Sequence, residues 1–86
     1  MKFKELKARS KLLNPILRIG KKGITPGMVE EIKKLLKKKK LIKIKILSNC
    51  PVENRDKMID EIVSKTESNL ITKIGNVFVL YKEKEN

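Results

Sequence analysis

The clearest candidates for binding chemistry are the four residues of the stretch Gly20-Lys21-Lys22-Gly23. Lysine ammonium groups attract anions, and glycines at both ends allow the backbone to approach a phosphodiester closely. The stretch precedes Thr25-Pro26, a good N-cap followed by the residue preferred at the first helical position. The N–H groups at such a helix start carry partial positive charge and bind phosphate readily. The spacing therefore predicts a phosphate-binding loop, and an ordinary strand-to-helix turn is the alternative.

Other chemistry finds little support in the sequence. There is no histidine, and the one cysteine, Cys50, can form neither an intramolecular disulfide nor a structural zinc site. As a nucleophile it would lack a histidine partner. The acids Asp56, Asp60 and Glu61 are expected on the solvated face of a helix, and the glycine loop lacks the GK[ST] ending of a P-loop. We therefore expect no enzyme, no metal or cofactor and no small-molecule substrate.

The distribution of charge is uneven along the chain. Of 22 basic and 10 acidic residues, the first 45 positions hold 16 basic against three acidic ones, a net charge of +13. The remaining positions hold six against seven, a net charge of −1. Such self-repulsion in one half of a small domain favours a polyanionic partner. A lysine-rich thermophilic surface is the alternative, although such surfaces usually mix both signs.

Length and composition limit the number of domains and the possible cellular location. A chain of 86 residues with 40% hydrophobic residues can bury one core and form one domain. No apolar run approaches the ~20 residues of a membrane helix, and the charged start has no apolar segment typical of a signal peptide. We therefore expect a monomeric cytoplasmic domain of residues 1–86 without a membrane partner.

Helical periodicity marks three segments. Residues 3–13 are expected to form a helix that ends at Asn14-Pro15, because the residue before a proline is disfavoured in the α region. A second helix is expected from Thr25 to Lys39, and a third from about Pro51 to about Glu67. The expected buried residues are Phe3, Leu6, Leu12 and Leu13 in the first helix, Met28, Ile32, Leu35 and Leu36 in the second, and Val52, Met58, Ile59, Ile62 and Val63 in the third.

Strand patterns mark residues 16–19, 41–47, 70–74 and 77–82. In the second strand the alternation predicts Ile42, Ile44 and Ile46 in the core and places Lys43 and Lys45 in solvent. The apolar run 77–80 predicts a central strand covered on both faces, joined to the third strand by a Gly75-Asn76 turn. Residues 84–86 are expected to fray.

The resulting order is αβαβαββ. Strand–helix–strand units favour parallel pairing with a right-handed crossover, whereas the final pair is a hairpin. We predict an α/β domain of the two-layer α+β type, with a mixed four-stranded sheet and helices packed on it.

Four stretches in this order resemble the CRM domain, the YhbY-like RNA-binding family: Leu13-Asn14-Pro15, residues 19–25, residues 41–45 and residues 74–82. The resemblance covers nearly the whole chain. It implies a fold similar to the C-terminal domain of bacterial translation initiation factor three and a GxxG loop, here Gly20 to Gly23, at the RNA-binding surface. Single-domain members are associated with the large ribosomal subunit precursor, and plant members with several copies assist intron splicing.

The leading hypothesis is therefore an RNA-binding protein that binds structured ribosomal RNA and assists large-subunit assembly. Its predicted RNA-binding residues are Arg18, Gly20, Lys21, Lys22, Gly23 and Thr25 at the loop, Lys7 and Lys11 on the first helix, Lys33 and Lys37 on the second, and Lys43 and Lys45 on the second strand. Binding of tRNA or intron RNA, and an adaptor that docks an acidic protein, are the alternatives. Aromatic residues are scarce, so recognition of backbone shape is expected rather than base stacking.

Overall fold

The computed structural model describes residues 3–51 and 53–83. The expectations for Val52 and for residues 84–86 therefore lie outside the described residues. The elements follow the predicted αβαβαββ order: α1 (Phe3–Ser10), β1 (Leu17–Ile19), α2 (Pro26–Lys39), β2 (Leu41–Ile46), α3 (Arg55–Thr66), β3 (Asn69–Ile74) and β4 (Val77–Tyr81).

The four strands form one mixed sheet in the order β1-β2-β4-β3. β1 is parallel to β2, and β4 is antiparallel to both β2 and β3. The last strand in sequence is thus inserted at the centre, as its uninterrupted apolar run predicts. Phe78, Val79 and Leu80 are all buried, which confirms that both faces of β4 are covered.

The main core lies between one face of the sheet and helices α2 and α3. Ile42, Ile44 and Ile46 point into it together with Phe78 and Leu80. The alternation predicted for β2 is therefore correct for the isoleucines. A shift of the register by one residue would replace them with lysines, so the pattern fixes how β2 pairs with its neighbours.

Helix α1 packs on the opposite face of the sheet, which adds a partial third layer to the two that were predicted. Its core is small and consists of Leu6, Ile71 and Val79. The predicted burial of Leu12 and Phe3 is wrong, since they are 86% and 52% exposed. α1 ends at Ser10 because the next bonds, such as the one from the Leu12 N–H to the Arg9 carbonyl (3.0 Å), span three residues and turn the chain toward β1.

The two longer helices match their predicted positions with small corrections. Thr25 is the N-cap of α2, where its Oγ1 accepts a hydrogen bond from the Met28 N–H at 3.1 Å. Val29 is buried in α2, whereas Met28 and Leu35 are only half-buried, so the buried stripe is rotated from the predicted one. α3 begins at Arg55 rather than near Pro51, because Asn54 serves as the N-cap and accepts from the Lys57 N–H. Its predicted core residues Met58, Ile59 and Ile62 are buried, and Val63 is half-buried.

The end of α3 leads to a stability prediction. Glu67 follows the helix in the left-handed conformation, with φ of 52°, and its side chain is 79% exposed. A non-glycine residue in that conformation destabilises the folded state by ~1 kcal/mol. Glycine removes this strain, but part of the gain is lost because glycine also raises the entropy of the unfolded chain. We expect Glu67→Gly to raise the free energy of unfolding by ~0.5 kcal/mol in urea titrations. Ser64→Gly, inside the same helix, should lower it; a loss in both variants would contradict the cap assignment.

Candidate nucleic-acid interface

The loop of residues 20–23 is a tight turn between β1 and α2. The Gly23 N–H donates to the Gly20 carbonyl at 2.9 Å, and Gly23 has a φ of +64°, which only glycine adopts without strain. Gly20 is needed for a different reason. A Cβ there would lie 3.3 Å from Leu47 Cδ1 and 3.4 Å from Asn49 Oδ1, so the turn packs closely on the segment after β2. The two glycines therefore fix both the shape and the position of the loop.

Both lysines of the loop are available to an external anion. Lys21 and Lys22 are exposed. Neither forms an ion pair with any residue in the ranges 3–51 and 53–83. Their charges are thus not neutralised within the described part of the chain, and in sequence they precede Thr25, the N-cap of α2, by four and three residues.

The loop lies at an edge of the sheet where several chain segments meet. Because β1 and β2 are parallel, the segments that follow them emerge at the same edge, and so do the N-termini of α2 and α3. The turn between β3 and β4 joins them: the Ile46 N–H donates to the Asn76 carbonyl at 2.6 Å, and the Arg55 guanidinium donates to Asn76 Oδ1. Asn49 lies beside Gly20, and Asn76 is linked to Ile46 and Arg55. Neither was predicted as part of the site, because these segments meet through strand pairing that no local pattern reveals.

The basic surface extends from the loop onto the sheet rather than toward α3. Arg18 and Lys45 are register partners on β1 and β2, both exposed, and both on the face that carries α1. In the other direction, a groove of about 610 Å³ separates the loop from the start of α3, and its charged lining residues are Lys22, Lys57, Glu53 and Glu61. The two acids offset the two lysines there, whereas Arg18 and Lys45 add only positive charge, so the electrostatically favourable path runs from the loop across β1 and β2.

The structure does not bring the predicted helix lysines to the loop as one set. Lys7 and Lys11 belong to the α1 side of the sheet, whereas Lys33 and Lys37 lie on α2 at the opposite face. Lys37 is 12 residues beyond the N-cap of α2, which puts it ~18 Å along the helix axis. The lysines of α1 and α2 therefore do not share one face, because these two helices pack on opposite faces of the sheet.

Comparison with known proteins places this architecture in a family. The family model for the CRS1/YhbY (CRM) domain matches residues 1–82. The chain belongs to the CRM domain family. It is 38% identical over 82 residues to YqeI of Bacillus subtilis, named a probable RNA-binding protein, with 94% of this chain and 84% of that protein covered. It is 34% identical over 80 residues to a Haemophilus influenzae protein named RNA-binding protein, with 93% and 80% covered.

A solved structure supports the same assignment. The solution structure of the hypothetical protein SAV1595 from Staphylococcus aureus matches with a TM-score of 0.78 and 28% sequence identity. The match covers 98% of this chain and 86% of that one. The CRM domain resemblance inferred from the GxxG loop and its neighbouring motifs is thereby confirmed, as is the fold class.

Lys43 has a structural role in this CRM domain. It is half-buried, and its Nζ donates to the carbonyls of Leu13 (3.1 Å) and Ser10 (3.3 Å). The prediction that Lys43 points to solvent is therefore wrong, although it correctly placed the residue on the face opposite the isoleucines. The cause is α1, whose C-terminal end covers this position and offers carbonyl groups that attract a cation.

A matched pair of substitutions separates the two strand lysines. Lys43→Met should lower the free energy of unfolding by ~1–2 kcal/mol, since two carbonyls lose their charged donor. Lys45→Met, two residues along the same strand and exposed, should change it by less than ~0.5 kcal/mol. Urea unfolding of both variants measures the difference, and equal stabilities would show that the Lys43 contacts contribute nothing.

Within positions 3–51 and 53–83, no helix is long and apolar enough to cross a bilayer. In those ranges no group of three or more histidine, cysteine, aspartate or glutamate residues could hold a metal ion.

Proposed function

We propose that this protein binds structured ribosomal RNA and assists assembly of the large ribosomal subunit, through the GxxG loop and the basic surface beside it. The observation that carries the proposal is the tight turn of residues 20–23, which presents, before the start of α2, two exposed lysines that form no ion pair with any described residue. Backbone N–H groups and cations at a helix start suit a phosphodiester. The names of the bacterial relatives agree with an RNA ligand.

Contacts to the RNA backbone should dominate this binding. The chain has three aromatic residues, of which Phe78 is buried and Tyr81 is half-buried in the small core. The third, Phe3, lies under the Lys7 ammonium, whose Nζ is 5.1 Å from the ring centroid. No aromatic side chain is thus placed at the loop to stack on bases, so the lysines must act on phosphates.

The position of the RNA follows from the charges around the loop. Arg18 and Lys45 continue the cationic surface on one side, whereas Glu53 and Glu61 offset the lysines that line the groove on the other. The RNA should therefore lie over the loop and the ends of β1 and β2, with the outer face of α3 turned away from it. An adaptor for acidic proteins would use the same cations, but the glycine turn at a helix start favours phosphate.

The ribosomal target is drawn from the likeness to single-domain CRM proteins. Its test is crosslinking of the tagged full-length chain to RNA in cells, followed by sequencing of the bound RNA. We expect enrichment of large-subunit ribosomal RNA and its loss in a Lys21→Glu, Lys22→Glu variant. Enrichment of transfer RNA or intron RNA instead would refute the ribosomal target and identify the RNA that is bound. Recovery of an acidic protein without RNA would refute RNA binding and indicate an adaptor.

A further inference from the structure

One residue from each strand forms a row across the sheet next to the loop edge. In the strand registers Arg18 pairs with Lys45, Lys45 with Val77, and Val77 with Ile74. Residues paired in register point to the same face, so all four side chains lie on the α1 side. We call Arg18, Lys45, Val77 and Ile74 the open row. With neighbouring strands ~4.8 Å apart, it spans roughly 14 Å.

Helix α1 leaves this row uncovered. The helix and the turn after it pack over the next row, where Lys43 pairs with Val79 and Val79 with Thr72. Arg18 and Lys45 are exposed, and Ile74 is 70% exposed although it is a large apolar residue. A groove of about 220 Å³ runs between the row and α1, lined in part by Lys11, Thr72 and Val77.

The open row has two chemically different halves. β1 and β2 contribute the cations Arg18 and Lys45, and β4 and β3 contribute the apolar Val77 and Ile74. The cationic half begins two residues before Gly20, so it continues the proposed phosphate path. A duplex keeps its bases stacked and presents mainly phosphates and sugars, which leaves the apolar half without a ligand. An unpaired strand presents both phosphates and base faces.

We propose that the open row binds unpaired nucleotides of the RNA held at the GxxG loop, with phosphates against Arg18 and Lys45 and bases against Val77 and Ile74. This inference rests on the proposed function. A second copy of the chain is the competing occupant. It fits less well, because each copy has a net charge of +12 and a symmetric contact would bring both sets of cations into one interface.

The test compares two RNAs and two matched variants. The probes are a hairpin with an unpaired tail and the same hairpin with a blunt end, titrated at one salt concentration. Ile74→Thr removes apolar surface but keeps a β-branched residue on the strand. Leu70→Thr is the control, because Leu70 is on the same strand and 38% exposed. Its register partner Leu80 belongs to the main core, on the face of the sheet opposite the open row. We expect Ile74→Thr to weaken binding of the tailed RNA about fivefold and binding of the blunt RNA less than about twofold. Leu70→Thr should not discriminate between the two RNAs.

Each result decides the matter. Equal effects of Ile74→Thr on both RNAs, or none, overturn the row as a site for unpaired nucleotides. A dimer in sedimentation that Ile74→Thr dissociates would assign the row to a second copy. If a Lys21→Glu, Lys22→Glu variant weakens binding of both RNAs while Ile74→Thr weakens binding of neither, the proposal for the loop is supported and the proposal for the open row is refuted. If Ile74→Thr weakens binding of the tailed RNA and the loop variant does not, the open row binds unpaired nucleotides and the proposed role of the loop is refuted. If the wild type binds neither RNA, both proposals fail.

Discussion

Replacing both Lys21 and Lys22 by glutamate is expected to weaken RNA binding at least about thirtyfold, the largest loss for any two surface lysines. The change removes two attractions and adds two repulsions in the loop that precedes α2. Each of these four changes is worth ~1 kcal/mol at contact distance in water, and more where water is excluded, so together they amount to ~4 kcal/mol. Even half of that sum, ~2 kcal/mol of binding energy, corresponds to about a thirtyfold loss of affinity. Fluorescence titration of a labelled RNA at a fixed salt concentration measures it.

The chain supplies a matched control for this variant. Lys38 and Lys39 are also adjacent and exposed, and their replacement by glutamate changes the net charge equally. They lie in the last turn of α2, at the end of the helix away from the loop. We expect little loss of affinity from the control beyond a general electrostatic effect. Equal losses from the two pairs would mean that only net charge matters and that the loop is a turn without a binding role.

The lysines are a cleaner probe of the loop than its glycines. Exposed loop substitutions usually shift stability by less than ~0.5 kcal/mol, so circular dichroism and urea unfolding should find the double variant folded. A side chain at Gly23 would be strained by its φ of +64°, and one at Gly20 would meet Leu47 at 3.3 Å. Loss of binding in a glycine variant would therefore mix altered loop shape with lost contacts.

Much of the fold follows from local patterns in the sequence. Alternating isoleucines fix the buried face of β2, and the apolar run of β4 requires cover on both faces, which places that strand centrally. Thr25-Pro26 fixes the start of α2, and with it the end of the loop. Each of these signals depends on residue types within a few positions, so no knowledge of distant contacts is needed.

The sequence was insufficient wherever a distant element decides the outcome. Alternation showed which way Lys43 points, but it could not show that the end of α1 covers it. Likewise, both α1 and α2 are rich in lysine, yet nothing local states that they pack on opposite faces of the sheet. The open row exists only through the registers of four strands, and Ile74 and Val77 were therefore not predicted as part of any site.

The second large effect is the dependence of RNA affinity on salt. The loop and the open row carry the exposed cations Lys21, Lys22, Arg18 and Lys45, and Lys11 lines the groove beside the open row. If about four to six phosphates are contacted, each releasing ~0.7–0.9 counterions, log K against log salt should slope at roughly −3 to −5. At a slope of about −4, a fourfold rise in salt lowers affinity roughly 250-fold. Titrations at a series of salt concentrations give the slope.

The slope also identifies which cations act on phosphates. Lys21→Glu with Lys22→Glu should make it shallower by about 1.5 or more, because at least two phosphate contacts are lost. Ile74→Thr should leave the slope unchanged while lowering affinity for tailed RNA, since base contacts on an apolar surface release no counterions. A nearly flat slope for the wild type would refute a mode dominated by the RNA backbone. A loop variant that binds weakly but keeps the full slope would show that its lysines shape the loop without contacting phosphate.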